Sequence, residues 1–434
     1  MKIAIVGSGI SGLAAANKLR GRADLTLFEA GSYFGGHTHT VDLTLPTPQG
    51  PLTYGVDTGF LVFNERTYPN LIALFAELQV ETAKSDMSFS VQVPGQPGRA
   101  PLEWSGTSLN SVFAQRANLV NPRFWGMLRD LLRFNRLATE LAVQGADEEL
   151  MQPLEDFLRQ EQFTPEFRDW YLLPMLGCIW SCPTDQMLKF PVATMIRFCH
   201  NHGLIQVSNR PQWWTVKGGA RHYVDKIVAQ VADKRLNAPV QRIERDADGV
   251  SITSNGQTER FDKVVLACHS DQALAMLAQP SRAEQATLGA IRYQPNRAVL
   301  HTDTSVLPQR KLAWAAWNFE RAAAQNTTQR AIKTDARVCL HYLLNQLQPL
   351  PFTQPVVVSL NPLHEIEPST IHGEFAYAHP VFDLAAIRAQ ADIPALQGQQ
   401  NTYFCGAWMG YGFHEDGLKA GLAVAQRLEP LLNI

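Results

Sequence analysis

The chain has 434 residues, of which 45% are hydrophobic and 18% charged, and its formal net charge is -2. That balance allows a large buried core and excludes a globally disordered chain. No block of five or more like charges occurs, so neither a nucleic acid nor an acidic membrane is an expected partner.

Met1 is followed at once by strand-like KIAIV rather than by a basic leader and cleavage site. Six cysteines (Cys178, Cys182, Cys199, Cys268, Cys339 and Cys405) stand in apolar settings. Together these features give the expectation of a reduced, cytoplasmic chain. Lys2–Val6 reads as a buried parallel strand. Gly7, Ser8, Gly9, Ile10, Ser11 and Gly12 follow, then a helix from Leu13 to Leu19 and a second strand, Leu25–Phe28, that ends at Glu29. This is a βαβ unit with a dinucleotide fingerprint. Gly7 permits the tight turn, Gly9 the approach of a pyrophosphate, and Gly12 close helix–strand packing. The helix N-terminus offers amides and a positive dipole end to phosphates. Glu29, with Ala30 beside it, is placed to hold ribose hydroxyls and would repel a 2′-phosphate.

A nicotinamide domain would continue into further βα units. Here Gly35-Gly36-His37-Thr38 comes next, where paired glycines let another backbone approach the cofactor. Tyr54–Phe63 reads as a strand whose end carries Asp57, Thr58, Gly59 and Phe60. Asn70–Leu78 is a predicted helix, Met87–Val93 a strand, Pro94–Trp104 a Gly/Pro turn region, and Arg123–Val143 a helix. Trp170–Thr184 is too short to span a bilayer and is broken by Pro174 and Pro183. It reads as buried or membrane-touching, which leaves a peripheral membrane contact open. Cys199–His202 (CHNH) fits no common zinc spacing and suits a turn, so no metal is expected. Trp213 and Trp214 read equally as tunnel lining or core. Ala238–Cys268 reads as strand, strand, turn, strand, and Arg297–Asp303 and Pro355–Asn361 are apolar strands. His414-Glu415-Asp416-Gly417 opens a last helix.

These pieces together resemble the FAD-dependent superfamily of monoamine oxidases, protoporphyrinogen oxidase and phytoene desaturases. The glycine fingerprint, the Gly-Gly pair, the D-x-G, Thr215–Val228, Ala238–Cys268 and Asn401–Leu428 carry the resemblance. Asn201–Gly219 and Gly410–Gly421 resemble a bacterial branch associated with cyclopropane-fatty-acid-synthase-like lipid methyltransferases. The resemblance implies an α/β fold with a Rossmann-like FAD-binding domain and a second α+β substrate domain of mixed sheet and helices. The FAD domain is expected to be discontinuous, over 1–75, 206–275 and 386–434, with the substrate domain over 76–205 and 276–385. It implies that Val240 meets adenine through its backbone, and that Gly406, Trp408, Phe413 and His414 close on the flavin. His37 replaces the family's usual arginine. No cysteine sits in a covalent-flavin context, so FAD is expected to be non-covalent.

The implied chemistry is hydride removal from a C–H bond by the flavin. His414 and Tyr411 are the candidate catalytic residues for the accompanying proton. The reading is an oxidase or desaturase of an apolar, modified acyl chain. The alternatives are a flavin amine oxidase and a non-catalytic flavin-binding subunit. A small molecule or lipid is the expected partner, and the oligomeric state stays open.

Overall fold

The structure is a computed structural model, and residues 1–95, 100–145, 151–206, 210–322 and 338–432 are described. The first strand, Lys2–Val6, pairs in parallel with Asp24–Phe28 on one side and Lys263–Leu266 on the other. Neighbours on both edges and helices on the faces leave it no solvent side, which is why it runs apolar instead of alternating. Asp233–Arg235 and Thr402–Phe404 complete the two edges of this five-stranded sheet. Strands from the beginning, middle and end of the chain thus build one sheet.

The helix expected to start at Leu13 starts at Ile10, with extended Gly9 as its N-cap. A Cβ on Gly12 would lie 2.0 Å from the Gly7 carbonyl oxygen, so the missing side chain lets the helix settle onto the turn before it. The strand whose end the sequence places at Asp57 to Gly59 does end at Asp57. There the Asp57 carboxylate accepts from the Ala220 amide at 2.9 and 3.0 Å and from Gln348 Nε2 at 2.7 Å, and the chain turns at Thr58. Ala238–Cys268 holds four strands where three were read. Val240–Asp246, Gly249–Ser254 and Gln257–Phe261 form a meander, and Lys263–Leu266 then enters the parallel sheet.

The second sheet has seven strands in the order Ile371–Val381, Arg292–His301, Val357–Leu360, Cys339–Leu343, Trp317–Glu320, Phe89–Val93 and Leu102–Ser105. Its pairs are antiparallel except Trp317–Glu320 with Phe89–Val93. Side chains alternate between its faces. Leu300, Phe319, Leu340 and Val358 enter the main core, whereas Val299, Leu343 and Val357 form a small cluster on the opposite face. The turn region Pro94–Trp104 lies partly outside the described residues.

Pro122–Gln144 is the long helix, within one residue of the expected bounds. Asn121 accepts from the Arg123 amide at its start, and left-handed Gly145 (φ 68) ends it. Trp170–Thr184 is mostly helical and lies inside the protein: Leu172, Leu176 and Cys182 are all 0% exposed. Among the described residues no helix is long and apolar enough to cross a membrane.

Candidate functional site

A cavity of about 770 Å³ lies between the parallel sheet and the seven-stranded sheet. One end is the N-terminal turn. Gly7 has φ +102, and a Cβ there would lie 2.6 Å from the Ala267 carbonyl oxygen. A Cβ on Gly9 would meet nothing within 4 Å, and one on Gly36 would lie 3.2 Å from the Gly9 Cα. The two glycine segments therefore meet backbone to backbone beside open space. The helix behind them has no side-chain cap and no acid in its first turn. Its N-terminal amides and dipole thus carry no internal counter-charge. Ser8 donates to Glu29 Oε2 from its amide at 3.0 Å and from Oγ at 2.5 Å, and the Gly31 amide donates to Oε1 at 2.8 Å. A carboxylate has about four acceptor sites, so with three taken about one remains, on Oε1, for a further hydroxyl. Val240 pairs with Ser254, but the register shifts before Arg242, and Val240 and Gln241 both face the cavity.

The Gly-Gly pair leads into an enclosed histidine cluster. His37 lies 6.1 Å from His269 and 5.4 Å from His379, ring to ring, and 5.2 Å from the Tyr377 ring. Burial, with a smaller contribution from His269, pushes His37 down to about 4. Its imidazole is hydrogen-bonded to the Ala378 backbone, while Nε2 is buried with no partner. Burial also pushes His269 to about 4 and His379 to about 3. His379 Nδ1 meets Asn296 Nδ2 at 2.9 Å, and the His269 ring stacks on Tyr293. Gly59 packs against this turn, where a Cβ would lie 2.2 Å from the His37 carbonyl oxygen. Thr58 Oγ1 meets the Tyr377 hydroxyl at 2.7 Å. His269, Tyr293, Tyr377 and His379 carried no sequence signal, since each comes from a strand or strand end that reads as ordinary.

The opposite end is built by the C-terminal segment. His414 stacks on Phe60 at 3.8 Å, and its Nε2 meets Thr38 Oγ1 at 2.8 Å and the Tyr223 hydroxyl at 3.1 Å. Burial, then His37, lowers it to about 3, so it is neutral. His414, a candidate catalytic residue in the sequence, thus has its Nε2 held by two hydroxyls. Tyr411 lines the cavity, and its carbonyl accepts from Trp180 Nε1 at 3.3 Å. Phe413 stacks on Phe198 at 4.7 Å. Trp408 is 2% exposed and donates Nε1 to the Cys268 carbonyl at 3.0 Å. Gly406 gives it room, since a Cβ there would lie 2.2 Å from Trp408 Nε1.

Of the candidate cofactor-binding and catalytic residues read from the sequence, Gly12 and Thr38 do not line the cavity. Gly12 acts through packing, and Thr38 is buried behind His414. The others, including Ile10, Ser11, Ala30, Gly35 and Phe60, form its wall.

The third portion of the wall comes from Met87, Ile179, Trp180, Leu204, Trp213 and Leu360, among others. Trp213 faces the cavity, whereas Trp214 donates to Glu65 Oε1 at 3.0 Å outside it. His202, set aside in the sequence as part of a turn, is also in the wall. It stacks on Phe198, and Nδ1 meets the Phe198 carbonyl at 3.0 Å. A carbonyl accepts only, so Nδ1 carries the proton and Nε2 keeps its lone pair. Burial pushes His202 down to about 4, which keeps that lone pair free at neutral pH.

The residues present fit FAD. A glycine cradle stands open at Gly9, an uncapped helix end faces it, a carboxylate sits at ribose distance in the motif, and His37 Nε2 lacks a partner. The known proteins agree. A flavin-containing monoamine oxidase of Mycobacterium tuberculosis, so named provisionally, is 27% identical over 271 residues, 59% of this chain and 54% of its own length. A carotenoid phi-ring synthase of Streptomyces griseus is 25% identical over 299 residues, 64% of this chain and 54% of its own. The chain thus spans about half the length of the curated relatives it matches. A fatty acid isomerase from P. acnes shares the fold, with TM-score 0.64, 16% identity and 98% of each chain covered. So does a cyclohexylamine oxidase from Brevibacterium oxydans, with TM-score 0.65, 16% identity and 100% and 99% covered. The profile of the flavin containing amine oxidoreductases matches residues 10–428, and the chain belongs to that family of FAD-dependent oxidoreductases.

Proposed function

We propose that this protein removes hydride from a C–H bond of an apolar substrate, as an oxidase or desaturase, and that the substrate is an acyl chain. The observation that carries this reading is the wall of the cavity. Among the described lining residues there is no Lys, Arg or Asp, and the one Glu is Glu29, in the glycine-fingerprint portion. A cationic amine or an anionic head group taken into such a wall would lose its hydration without a charged partner. An apolar chain loses nothing comparable and gains about 25 cal/mol for each Å² buried.

In this reading residues 1–75, 206–275 and 386–434 hold the cofactor non-covalently, and 76–205 and 276–385 shape the substrate end. When bound, FAD supplies the hydride acceptor. The chain orients the reacting carbon and excludes water with Trp180, Phe198, Tyr411 and Phe413. His414 is a positioning residue that ties Phe60, Thr38 and Tyr223 together. His202 Nε2 takes the second proton when a double bond forms. The names borne by the relatives divide between amines and lipid-like molecules. The family description itself favours an amine oxidase as the second reading.

The test is anaerobic mixing of the FAD-loaded protein with long-chain acyl lipids or with simple amines while flavin absorbance is followed. Bleaching by acyl lipids supports the proposal. Rapid bleaching by simple amines alone rejects it. His202→Gln is expected to lower kcat by about 10²- to 10⁴-fold, the usual contribution of a general base, with flavin content unchanged.

A further inference from the structure

We propose that Glu320, Cys339 and His341 form a structural zinc site on the face of the seven-stranded sheet opposite the cofactor cavity. Trp317–Glu320 and Cys339–Leu343 are antiparallel neighbours, with Glu320 opposite Cys339. The strand period of two puts Cys339 and His341 on the same face as Glu320. The intervening positions face the other way: Trp317 and Tyr342 line the cavity. The two sites are therefore separated by the sheet itself.

The geometry is that of a metal's coordination shell. Cys339 Sγ lies 3.4 Å from His341 Nε2 and 3.7 Å from Glu320 Oε2, and Glu320 Oε2 lies 3.1 Å from His341 Nε2. A tetrahedral zinc with bonds of about 2.0–2.3 Å has ligand-to-ligand edges of roughly 3.3–3.7 Å. The observed triangle is one face of that tetrahedron to within a few tenths of an ångström. His364 Nε2 stands 3.1 Å from the other carboxylate oxygen, Oε1, outside the triangle, and would supply a fourth bond only by turning in from solvent. A mixed sulfur, nitrogen and oxygen set selects zinc over the hard cations, which prefer oxygen alone.

The surroundings argue for the same assignment. Ligating histidines are oriented through their other nitrogen. His341 Nδ1 meets Ser359 Oγ at 2.7 Å, and that hydroxyl is held in turn by His301 Nε2 at 2.7 Å. His341 is 0% exposed and Glu320 14%, while His364 at 74% marks the way in from solvent. Cys339 is 0% exposed and does not line the cofactor cavity, so a thiol–imidazole nucleophile acting on a substrate there does not account for the group. Without a metal, the thiol and the imidazole both direct a polar atom at one carboxylate oxygen and at each other. A cation resolves that crowding by binding all three.

Tag-free, FAD-loaded protein is dialysed with Zn²⁺, then against metal-free buffer, and its zinc is measured by mass spectrometry. One zinc per chain is expected, and zinc-edge X-ray absorption is expected to show one sulfur among lighter scatterers. Cys339→Ser is expected to lose both the zinc and the sulfur signal. Ser359→Ala, which removes only the orienting hydroxyl, is expected to weaken zinc binding about 10- to 100-fold. Circular dichroism checks that each variant folds, and if Cys339→Ser does not, the sulfur signal and Ser359→Ala decide. No retained zinc, a shell without sulfur, or zinc retained undiminished in Ser359→Ala overturns the assignment. None of these readouts depends on turnover, so the zinc site and the proposed reaction stand or fall separately.

Discussion

Gly12 shows how a single hydrogen atom in place of a methyl group can decide whether a cofactor binds. In most helices Gly→Ala adds up to about 1 kcal/mol of stability. Here the added Cβ would lie 2.0 Å from a backbone oxygen that cannot swing aside. Overpacking of that kind costs about 1–3 kcal/mol, so the clash outweighs the propensity. Gly12→Ala is expected to lower the melting temperature and to purify with less bound flavin, as read from the visible spectrum. His37 carries a second prediction. Burial holds its folded pKa near 4, below the ordinary 6.5. Between those values the unfolded chain binds the extra proton, so stability is fully present above about 6.5 and is lost as pH falls toward 4. Thermal melts of the flavin-free protein are expected to show this fall, with up to about 1.4 kcal/mol per pH unit from one such histidine. His37→Gln is expected to make the fall shallower. An unchanged slope in that variant would assign the effect to the other buried histidines, His202, His269, His301, His379 and His414. The glycines and Glu29 were legible because a phosphate-binding turn is a local motif. The cluster around His37 was not, because His269 and His379 reach it only through tertiary packing.

The C-terminal helix His414–Leu428 is the element that joins the two ends of the chain. Its acids divide their work. Asp416 accepts from the Tyr411 and Phe413 amides at 3.1 Å each, capping its own helix. Glu415 instead reaches the start of Pro69–Glu77, taking the Asn70 and Leu71 amides at 3.1 and 3.0 Å. In the sequence the two acids stand side by side at the opening of one helix, and adjacency is all that a sequence displays. Glu415→Ala leaves the buried Leu71 amide and the part-buried Asn70 amide without their acceptor, at about 1–3 kcal/mol for the buried group. Loss of its 3.8 Å pairing with Lys419 matters less, because exposed pairs contribute about 0–1 kcal/mol. Denaturant titration of Glu415→Ala is therefore expected to show a large loss, and of Lys419→Ala almost none. Gly421 fixes the distance between this helix and Ile10–Leu19, since a Cβ there would lie 2.1 Å from the Ser11 carbonyl oxygen. Gly421→Ala is expected to separate the helices, lower the melting temperature and reduce flavin content. Melting unchanged from the parent would mean that the two helices part without cost.

At the scale of the whole molecule, the parallel sheet ties together strands that lie hundreds of residues apart. Thr402–Phe404 is its last strand, paired with Lys263–Leu266. A chain ending before Thr402 loses that strand and the helix that packs on Ile10–Leu19. Such a truncation is expected to be insoluble or to give no cooperative melting transition. The same long-range construction explains why the apolar run Trp170–Thr184 could be read two ways, as buried or as membrane-touching. Its hydrophobicity signals burial, but only the packed structure shows that it is buried within the protein. It explains too why the Glu320, Cys339 and His341 cluster formed no motif. Cys339 and His341 stand two positions apart on one strand, but Glu320 joins them only through sheet register.

By itself the sequence determined the βαβ opening, the glycine cradle, the acid that follows it, and the hydrophobic periods of the long helices. These depend on backbone conformation and neighbour spacing, which are encoded within a few residues. Only the tertiary structure decided which histidines share the cavity, that His414 is held by two hydroxyls while His202 keeps a lone pair, and that the described lining residues include no Lys, Arg or Asp. Those properties belong to side chains brought together across sheets, and no local stretch of chain contains the information.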